Sequence, residues 1–540
     1  MKKKRMILVL CLAVVLALSA CNSNKQANKN ESTSEPSQSA SAEPGKFDKK
    51  LTIKAFNAGA FNPTTQMPDR ENDPIRQMLE KAVNVDFQMT ILPPDQQKAK
   101  LNSMIVAGDI PDMIFMTDRA SAVEFYDQGI IAGLDETLKN YSELQNRFKP
   151  AEWEAMKYNG EMIGTPGYEF VSGVNGWYIR NDWLTKLNLK APTTPDELLE
   201  VMKAFTFNDP DGNNKNDTYG FAPGLSKEGI ISPVNNGGTN AALGWSAIFW
   251  MFGVNPGVVD QINGELVFGS TDPRTKEALE FINKMLDANV VDPDWVSTTD
   301  GVAIEKKFLA GKSGIVITDW RSMEPAGQEK IKAVINEVPD WTVIAPPKGP
   351  HGDQILSLKP FQNNSWAISK EAAKDPEKLS RIMELLQYWY TDQEFYKWAC
   401  YGVKSIFWDE VDGKVQINQE NKADNETIEK YRWATNYALP RKANDATYFN
   451  FLNPQTIEFQ KTNQASTKEN TTNPYVLPDP SDTKYADRIK YMNEMLLKFM
   501  IGKEPLSKWD DYLATLDSKF DYVKYKEHTT KQLQDAGVLK

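Results

Sequence analysis

Apolar and polar positions in the first part of the chain follow the periods of strands and helices in turn. Residues 51–56 are strand-like, and residues 83–91 alternate apolar and polar side chains with a period of two. Proline suits the first helical position, so Asp73 and Pro74 predict the start of a helix between these strands. A polar helix and a short strand at 112–116 complete a β-α-β-α-β pattern, which predicts a parallel sheet with helices on both faces.

The same signal for a helix start recurs three times further along the chain. Thr194, Asp272 and Asp375 are each followed by proline, which is typical of the first turn of a helix. The last two segments carry apolar residues on one helical face, which predicts packing against a hydrophobic core. Strands and helices that alternate in this way predict an α/β fold.

The N-terminus predicts a bacterial lipoprotein signal. Residues 1–5 are basic, and residues 6–18 are almost wholly apolar over a length typical of a secretory signal and too short for a membrane-spanning helix. The run LSAC at 18–21 looks like a lipobox, so we expect a signal peptide that ends at residue 20 and a lipidated Cys21. The alternative is plain secretion with cleavage near Ala20.

Residues 21–49 predict a flexible tether. They are rich in Ser, Asn, Glu, Lys and Pro and contain almost no apolar side chain that could support a core. The folded part of the protein should then begin near residue 50 and lie outside a membrane, attached to it through Cys21.

Composition and charge narrow the functional classes. The chain has 540 residues, and 62 Lys and Arg against 73 Asp and Glu give a formal charge of −11, which argues against a nucleic-acid-binding protein. Only two histidines and three cysteines are present, so histidine-based metal centres, catalytic triads and a disulfide framework are nearly excluded. No catalytic motif stands out. An aromatic content of 11% makes a sugar ligand worth considering.

One loop has the composition of a cation-binding site. Side-chain oxygens recur at Asp209, Asp211, Asn213 and Asp217, which lets a single loop wrap a hard cation, and Lys215 could add its backbone carbonyl. The spacing is similar to that of an EF-hand, but the glycine and the final glutamate of that motif are not at their positions. We expect a structural calcium ion; the alternative is an Asx-rich turn without metal.

Several segments of the chain match the motifs of one protein family. Besides the lipobox, they are GDIPDMI at 108–114, YDQGIIAGL at 126–134, GWYIRNDWL at 176–184, PTTPDEL at 192–198 and FLAGKSG at 308–314. Together they resemble the family 1 extracellular solute-binding lipoproteins of carbohydrate ABC importers, in the branch of oligosaccharide and alginate binders. The cation loop also looks like one in the alginate-binding relatives, except that Thr218 stands where they have an acidic residue.

The resemblance implies two doubly wound α/β lobes joined by a hinge, with the ligand cleft between the lobes. Lobe 1 is expected to comprise residues 50–166 and about 366–405. Lobe 2 is expected to comprise about 167–365 and about 406–540.

The resemblance also implies a hydrogen-bonding pair in lobe 1. Asp118 and Arg119 resemble the Asp–Arg pair with which a member of the family holds sugar hydroxyls, since the carboxylate accepts and the guanidinium donates. The alternative is a solvated ion pair.

Lobe 2 should supply aromatic rings for the sugar. Trp320 falls where a member of the family has a stacking tryptophan, and Arg321 beside it is a further ligand-binding candidate. Trp245 and Trp250 lie in a Gly-rich stretch that looks like a cleft-lining loop and helix start. For each tryptophan the alternative is a place in the hydrophobic core.

We therefore expect a non-catalytic, monomeric receptor on the outer face of the cell membrane that captures an oligosaccharide and delivers it to an ABC-type permease. One alternative is a surface-anchored glycoside hydrolase or lyase that uses paired carboxylates. Another is an adhesion or peptide-binding lipoprotein. The tether and lipid anchor fit all three, whereas the two-lobed pattern favours the receptor. Only an enzyme would change an oligosaccharide on long incubation.

Overall fold

The computed structural model describes most of the chain after the predicted tether. The described residues are 47–58, 66–116, 119–166, 175–225, 229–230, 244–299, 301–323, 325–358, 365–417, 427, 430–437, 454–468, 472, 475–477, 479 and 481–539. All of them belong to one compact unit, Ser41–Lys540. No helix in this part of the chain is long and apolar enough to cross a membrane. The predicted signal peptide and Cys21 lie outside the described residues.

Among the described residues, the strands form two four-stranded sheets and four short pairs. In chain order they are β1 (Leu51–Asn57), β2 (Val85–Thr90), β3 (Met113–Met116), β4 (Lys157–Tyr158), β5 (Glu161–Met162), β6 (Asn175–Arg180), β7 (Tyr219–Phe221), β8 (Val259–Ile262), β9 (Glu265–Phe268), β10 (Ser313–Asp319), β11 (Trp341–Ile344), β12 (Ser357–Leu358), β13 (Ser365–Ile368), β14 (Trp408–Val411), β15 (Lys414–Ile417) and β16 (Thr467–Lys468).

Helices cover the faces of these sheets. They are α1 (Pro74–Val83), α2 (Pro94–Val106), α3 (Arg119–Asp127), α4 (Asp135–Leu138), α5 (Ser142–Arg147), α6 (Pro150–Glu154), α7 (Asn181–Lys186), α8 (Pro195–Phe207), α9 (Trp245–Met251), α10 (Pro273–Asp287), α11 (Gly301–Leu309), α12 (Pro325–Ile335), α13 (Lys370–Ala373), α14 (Pro376–Thr391), α15 (Gln393–Tyr401), α16 (Pro454–Ala465), α17 (Tyr485–Met500), α18 (Trp509–Lys519) and α19 (Tyr522–Asp535). Short 3₁₀ helices include Trp320–Met323 and Arg432–Tyr437.

The predicted helix starts are confirmed at their caps. The side chains of Asp73, Thr194, Asp272 and Asp375 each accept a hydrogen bond from an N–H group in the first turn of the helix that follows, and proline occupies an early position in each helix. An oxygen that accepts from these otherwise unpaired N–H groups fixes where the helix begins.

The first sheet has the strand order β13-β3-β1-β2 and forms the centre of what we call lobe 1. β1 runs parallel to β2 and β3, which confirms the predicted β-α-β-α-β unit, and β13 joins as an antiparallel edge. Alternate residues face opposite sides: Ile53 packs into one hydrophobic cluster and Phe56 into another. Both faces of the sheet are therefore buried, as a parallel sheet requires.

The second sheet has the order β11-β6-β10-β7 and forms the centre of lobe 2. β6 is antiparallel to both of its neighbours, whereas β7 and β10 are parallel, so this sheet is mixed. Trp177 and Tyr178 in β6 point to opposite faces and enter separate hydrophobic clusters. The sheet of lobe 2 is thus also covered on both faces.

The chain after residue 400 contributes to both lobes. Trp433 and Tyr437 pack in the lobe 1 cluster that contains Ile53, although the sequence prediction ended lobe 1 near residue 405. Residues of α17 and α18, among them Phe499 and Tyr512, pack in the main cluster of lobe 2. The sequence shows no motif in this region. An apolar residue predicts burial, but it does not indicate which of the two hydrophobic cores the residue enters.

Candidate functional site

The carboxyl ends of the parallel strands in lobe 1 are the first place to search, because ligands of open α/β sheets bind there. β1 ends at Asn57, whose side-chain amide donates to the carbonyl of Asn436 at 3.3 Å. The next residue, Tyr437, donates through its hydroxyl to Asp73 at 2.6 Å, and both side chains are buried. The segment Arg432–Tyr437 therefore covers the end of β1. Sequence reasoning missed it because no motif marks this segment.

Burial governs the protonation of the Asp73–Tyr437 pair. It raises the pKa of the Asp73 carboxyl above its usual value, while hydrogen bonds from the N–H of Arg76 and the hydroxyl of Tyr437 oppose that shift. The pKa of Tyr437 is raised well above its usual value, mainly by burial and next by the negative charge of Asp73. The tyrosine therefore stays a hydrogen-bond donor to the carboxyl at neutral pH.

Arg119 lies at the first position of α3, just past the carboxyl end of β3. Its Nε donates to the carbonyl of Ala155 at 3.2 Å and its Nη2 to the carbonyl of Lys157 at 2.6 Å. Its side chain is only 6% exposed, and this burial lowers the pKa of Arg119. Asp118, its predicted partner, lies outside the described residues. Arg119 is thus fixed by backbone carbonyls at the edge where a ligand is expected.

Trp320 follows the carboxyl end of β10 in lobe 2. It is 7% exposed and packs in a cluster with Tyr178, Trp341 and Phe459. Most of its surface is therefore in contact with protein, and only a small part is open to solvent. Arg321 follows in the same 3₁₀ helix, and its side chain lies outside the described part.

Trp245 and Trp250 lie inside lobe 2 in α9, a helix in which every residue is buried. Trp245 has no exposed surface, and its ring makes edge contacts with Phe221 and Trp295 at centroid distances of 5.7 and 5.1 Å. Trp250 is 3% exposed and packs with Val258. Neither ring has a free face in this structure. The Gly-rich sequence before α9 could not indicate this, because it carries no period that distinguishes a core helix from a cleft wall.

The chain passes from one lobe to the other between residues 166 and 175, between residues 358 and 365, and between Tyr437 of lobe 1 and Phe459 of lobe 2. The first runs from lobe 1 to β6, and the second from β12 to β13. A further segment, residues 468–477, lies between β16 and α17, which both belong to lobe 2. It contacts lobe 1 at Tyr475, whose ring centroid lies 5.4 Å from the Cζ of Arg119, and we call it the contact segment. Through the resemblance, the predicted lobe boundaries imply crossings near residues 166, 365 and 405, and they give no sign of the contact segment.

An open groove of about 480 Å³ lies along α17 in lobe 2. Its walls are mostly apolar and include Leu225, Ile230, Ile489 and Leu497. A sugar needs a rim of hydrogen-bonding groups around an apolar face, and this groove offers few. It therefore does not enter the candidate ligand site.

The predicted cation loop lies between α8 and β7. The carboxylate of Asp209 accepts hydrogen bonds from the N–H groups of Asn213 and Asn214 at 3.0 and 3.1 Å. The Nδ2 of Asn213 donates to the carboxylates of Asp211 and Asp217 at 2.7 and 3.1 Å. Asp209 and Asn214 have positive φ angles of 47° and 61°, which tighten the loop. The four predicted side-chain ligands are thus gathered in one hydrogen-bonded network.

The loop concentrates negative charge and attracts positive groups. Burial, together with the charges of Asp217 and Asp209, raises the pKa of Asp211. The pKa of Asp217 is lowered by its hydrogen bond with the loop amide and by the ammonium of Lys312 at 3.0 Å. The ammonium of Lys186 donates to the first two carbonyls of the loop at 3.3 and 2.8 Å. The surroundings of the loop therefore favour a cation.

The remaining loop residues bear on the number of metal ligands. The N–H of Lys215 donates to the Oδ1 of Asn213 at 2.8 Å. Thr218 is buried and its hydroxyl donates to the carbonyl of Phe205 at 2.8 Å, so it ties the loop to α8 and is not a ligand. Within the described ranges, no three Asp, Glu, His or Cys side chains form a group that could hold a metal ion. The donor atoms have the chemistry of a calcium site, in an arrangement held by hydrogen bonds.

A profile of the bacterial extracellular solute-binding proteins matches residues 75–405, more than half of the chain. The chain belongs to this family. The resemblance inferred from the sequence motifs is therefore confirmed, and the binding proteins of this family support the receptor hypothesis over the hydrolase or lyase alternative.

Two relatives of this solute-binding protein come from Bacillus subtilis strain 168. The polygalacturonan/rhamnogalacturonan-binding protein YtcQ is 23% identical over 450 residues, which cover 82% of this chain and 84% of that protein. Lipoprotein LipO is 26% identical over 402 residues, which cover 72% of this chain and 73% of LipO.

Solved structures show that the fold is shared. Alginate-binding protein AlgQ2, crystallised without calcium ion, has a TM-score of 0.66 at 19% identity, with coverage of 90% of this chain and 98% of that chain. An EF-hand mutant of FusA, an ABC-transporter substrate-binding protein from S. pneumoniae, in complex with fructo-nystose has a TM-score of 0.66 at 20% identity, with coverage of 91% and 100%. These likenesses establish the two-lobed solute-binding fold.

Proposed function

We propose that this solute-binding protein is a lipid-anchored, monomeric receptor that captures an oligosaccharide between its lobes and delivers it to an ABC-type permease. The observation that carries the proposal is the pair of α/β lobes linked by three crossings, in a chain similar to YtcQ over most of its length. The name of YtcQ specifies polygalacturonan and rhamnogalacturonan, and the FusA structure contains fructo-nystose. Both are carbohydrates built from several sugar units, which supports an oligosaccharide as the ligand class of this chain.

In the proposed site, lobe 1 provides hydrogen bonds and lobe 2 an aromatic edge. Asp118 and Arg119 would grip sugar hydroxyls at the carboxyl end of β3, where Arg119 is already fixed by two carbonyls. Trp320 and Arg321 would meet the sugar from the end of β10. We leave Trp245 and Trp250 out of the proposed site because their rings are enclosed by lobe 2.

Contacts from both lobes explain how a ligand would close the cleft. A ligand shifts a conformational equilibrium only by its different affinities for the two states. A sugar held by Arg119 alone binds open and closed forms equally, whereas a sugar that also reaches Trp320 binds the closed form better. Closure would then present a distinct surface to the permease.

Calorimetric titration with a panel of oligosaccharides tests the proposal. The panel comprises oligogalacturonides, alginate oligosaccharides and fructo-oligosaccharides, and each sugar is recovered after long incubation. We expect at least one to bind and to be recovered unchanged. Binding without hydrolysis excludes the enzyme alternative. If none of the three classes binds at millimolar concentration, the proposed ligand class is wrong.

We also propose that the loop between α8 and β7 binds one calcium ion. Asp209, Asp211, Asn213 and Asp217 would hold it through side-chain oxygens, and Lys215 through its carbonyl. Calcium prefers oxygen ligands of this kind. Two observations support the proposal: the hydrogen-bonded cluster of these side chains, and the ammonium groups that the loop already attracts. The ion would brace the connection from α8 to the lobe 2 sheet, with no part in sugar chemistry.

The proposed membrane attachment depends on Cys21. The lipobox-like run at 18–21 supports it, and LipO, a lipoprotein by name, is similar to 72% of this chain. Stable anchoring requires more than one acyl chain, which a diacylglyceryl cysteine with a further acyl group provides. The tether would hold the lobes near the permease.

A further inference from the structure

The contact segment, residues 468–477, brings an aromatic ring to a cation of lobe 1. Tyr475 is half-buried, and its ring centroid lies 5.4 Å from the Cζ of Arg119. Such a cation–π contact is stronger when the cation is withdrawn from water, and Arg119 is only 6% exposed. The contact therefore joins this segment to the edge of lobe 1 where the ligand is expected.

Before Tyr475, the contact segment is tied to lobe 2. The ammonium of Lys468 lies 2.6 Å from the buried carboxylate of Asp260. The hydroxyl of Thr472 donates to the carbonyl of Val259 at 2.7 Å, and this hydrogen bond is buried. Both contacts reach β8, which follows α9 in lobe 2. The start of the contact segment therefore moves with lobe 2.

After Tyr475, the chain is tied to lobe 2 again. The side chain of Gln532 in α19 accepts from the N–H of Leu477 at 3.3 Å and donates to its carbonyl at 3.1 Å. α19 belongs to lobe 2, because Tyr522 in its first turn packs in the main cluster there. The Leu477 side chain packs against lobe 1 through apolar contact, which has no fixed direction. Directional bonds to lobe 2 thus flank Tyr475 on both sides.

Arg119 has one guanidinium nitrogen, Nη1, left for a ligand. Nε and Nη2 are bound to the carbonyls of Ala155 and Lys157. Of the residues with described positions, none accepts a hydrogen bond from Nη1. The Tyr475 ring limits the movement of the Arg119 guanidinium on one side. The position of the ring therefore affects where Nη1 points.

We propose that Tyr475 is a positioning residue for ligand binding. Its ring holds the guanidinium of Arg119 so that Nη1 can donate to a hydroxyl of the oligosaccharide. Because lobe 2 carries the ring, this hold depends on the relative position of the lobes, which couples ligand binding at Arg119 to closure of the cleft. This inference rests on the proposed function, and its first test needs no sugar.

The first test measures the inter-lobe distance in the unliganded protein. Spin labels replace Val106 in lobe 1 and Val334 in lobe 2, which are 88% and 59% exposed, with the native cysteines changed to serine. Tyr475→Leu should shift or broaden the distance distribution measured by pulsed electron resonance. Tyr475→Phe keeps the ring and should retain the wild-type distribution. An unchanged distribution in Tyr475→Leu overturns the proposal, whichever sugar the protein binds.

The matched control is Tyr485→Leu. The Tyr485 ring centroid lies 5.8 Å from the Cζ of Arg488, so it is also a half-buried tyrosine beside an arginine, but both residues belong to α17. This variant removes a cation–π contact within lobe 2 and should leave the inter-lobe distance at its wild-type value. If both variants shift the distance equally, the effect of Tyr475 is general destabilisation and the proposal is wrong.

The second test measures affinity by calorimetry with the oligosaccharide that the wild type binds. Tyr475→Leu should weaken binding by about 2- to 30-fold, the range that a cation–π contact supplies. Tyr475→Phe and Tyr485→Leu should stay within about twofold of wild type. Unchanged affinity in Tyr475→Leu would contradict the positioning role. If the wild type binds no oligosaccharide, the proposed function fails, and the distance measurement still decides whether Tyr475 couples the lobes.

Discussion

The ammonium of Lys312 lies 3.0 Å from the carboxylate of Asp217. Lys312 precedes β10, and Asp217 ends the proposed cation loop, so this ion pair joins the loop to the sheet of lobe 2. The two side chains are 52% and 29% exposed, and an ion pair so open to water contributes little stability by itself. A cation bound in the loop would compete with Lys312 for the same carboxylate.

Calcium should raise the melting temperature of the protein, and a chelator should reverse the rise. An ion that binds only the folded state stabilises it by RT ln(1 + [L]/Kd), about 2.7 kcal/mol at a hundredfold excess over Kd. Asp211→Ala should abolish the response, whereas Asp287→Ala, at an exposed position outside the loop, should retain it. Equal melting temperatures of the wild type in calcium and in chelator would contradict the calcium proposal.

Lys312→Met should raise the affinity for calcium. The variant removes a positive charge that is bound to Asp217, so the carboxylate becomes free for the metal and one repulsion disappears. The gain should be about two- to fivefold, the scale of an exposed ion pair. Calcium titration monitored by calorimetry measures it, with Lys203→Met as a control because Lys203 pairs with Glu200 away from the loop. Lower affinity in Lys312→Met would show that the lysine assists binding.

Asp73 should make the stability of lobe 1 depend on pH. Its pKa is raised in the folded protein, so the folded state binds this proton more tightly than the unfolded chain does. The free energy of unfolding contributed by this group therefore falls as the pH rises through and above the usual carboxyl pKa of 3.8. Asparagine keeps a helix-capping oxygen without a charge. The melting temperature of Asp73→Asn relative to wild type should thus be higher at pH 7 than at pH 4.

The control for this measurement is Asp375→Asn. Asp375 also caps a helix and is also followed by proline, but its hydrogen bonds are exposed to solvent. The difference in melting temperature between Asp375→Asn and wild type should depend less on pH. If the melting temperature of Asp73→Asn differs from wild type by the same amount at both pH values, burial of the Asp73 carboxyl does not control stability.

The parts of the fold that were predictable are those that local chemistry determines. Asp73 and Thr194 each accept a hydrogen bond from an N–H group three residues further along, so a short local sequence suffices to predict these caps. The parallel strands of lobe 1 followed from alternation and helix spacing. The antiparallel direction of β6 was not predictable, because its partners β10 and β11 are more than a hundred residues away.

The candidate site was predictable in composition and less so in arrangement. The oxygen ligands of the cation loop are close in sequence, so their gathering followed from spacing alone. Arg119 was found by resemblance, but its bonds to the carbonyls of 155 and 157 depend on a hairpin elsewhere in lobe 1. Tyr475 was missed because its contact spans more than 350 residues, and one tyrosine among 19 carries no local signal.

Cys21→Ser should release the protein from the membrane. The cysteine sulfur is the proposed site of lipidation, and the described part of the chain has no helix that could replace the anchor. Detergent phase separation of cell extracts measures the effect: wild type should enter the detergent phase, and the variant the aqueous phase. Cys400→Ser changes a buried cysteine and should partition like wild type. Wild-type protein found only in the aqueous phase would contradict lipidation.

Trp320 and Trp245 form a matched pair that separates a ligand contact from a core residue. Both are tryptophans of lobe 2, but Trp320 lies at the end of β10 and is 7% exposed, whereas Trp245 has no exposed surface and is enclosed between Phe221 and Trp295. Trp320→Ala should weaken oligosaccharide binding by about 0.5–1 kcal/mol, or about two- to fivefold, because only a small part of the ring is open to a sugar. Trp245→Ala should lower the free energy of unfolding by about 3–5 kcal/mol, the cost of a large cavity.

Calorimetric titration and denaturant unfolding of both variants give the two quantities separately. The folded fraction of Trp245→Ala should bind the sugar with wild-type affinity, since that ring touches only lobe 2. Trp320→Ala will also lose some stability, because most of its ring packs with Tyr178 and Trp341. The decisive quantity is the ratio of the affinity loss to the stability loss, which should be larger for Trp320. If Trp320→Ala loses stability as Trp245→Ala does and keeps full affinity, Trp320 is a core residue and the aromatic contact from lobe 2 must come from another side chain.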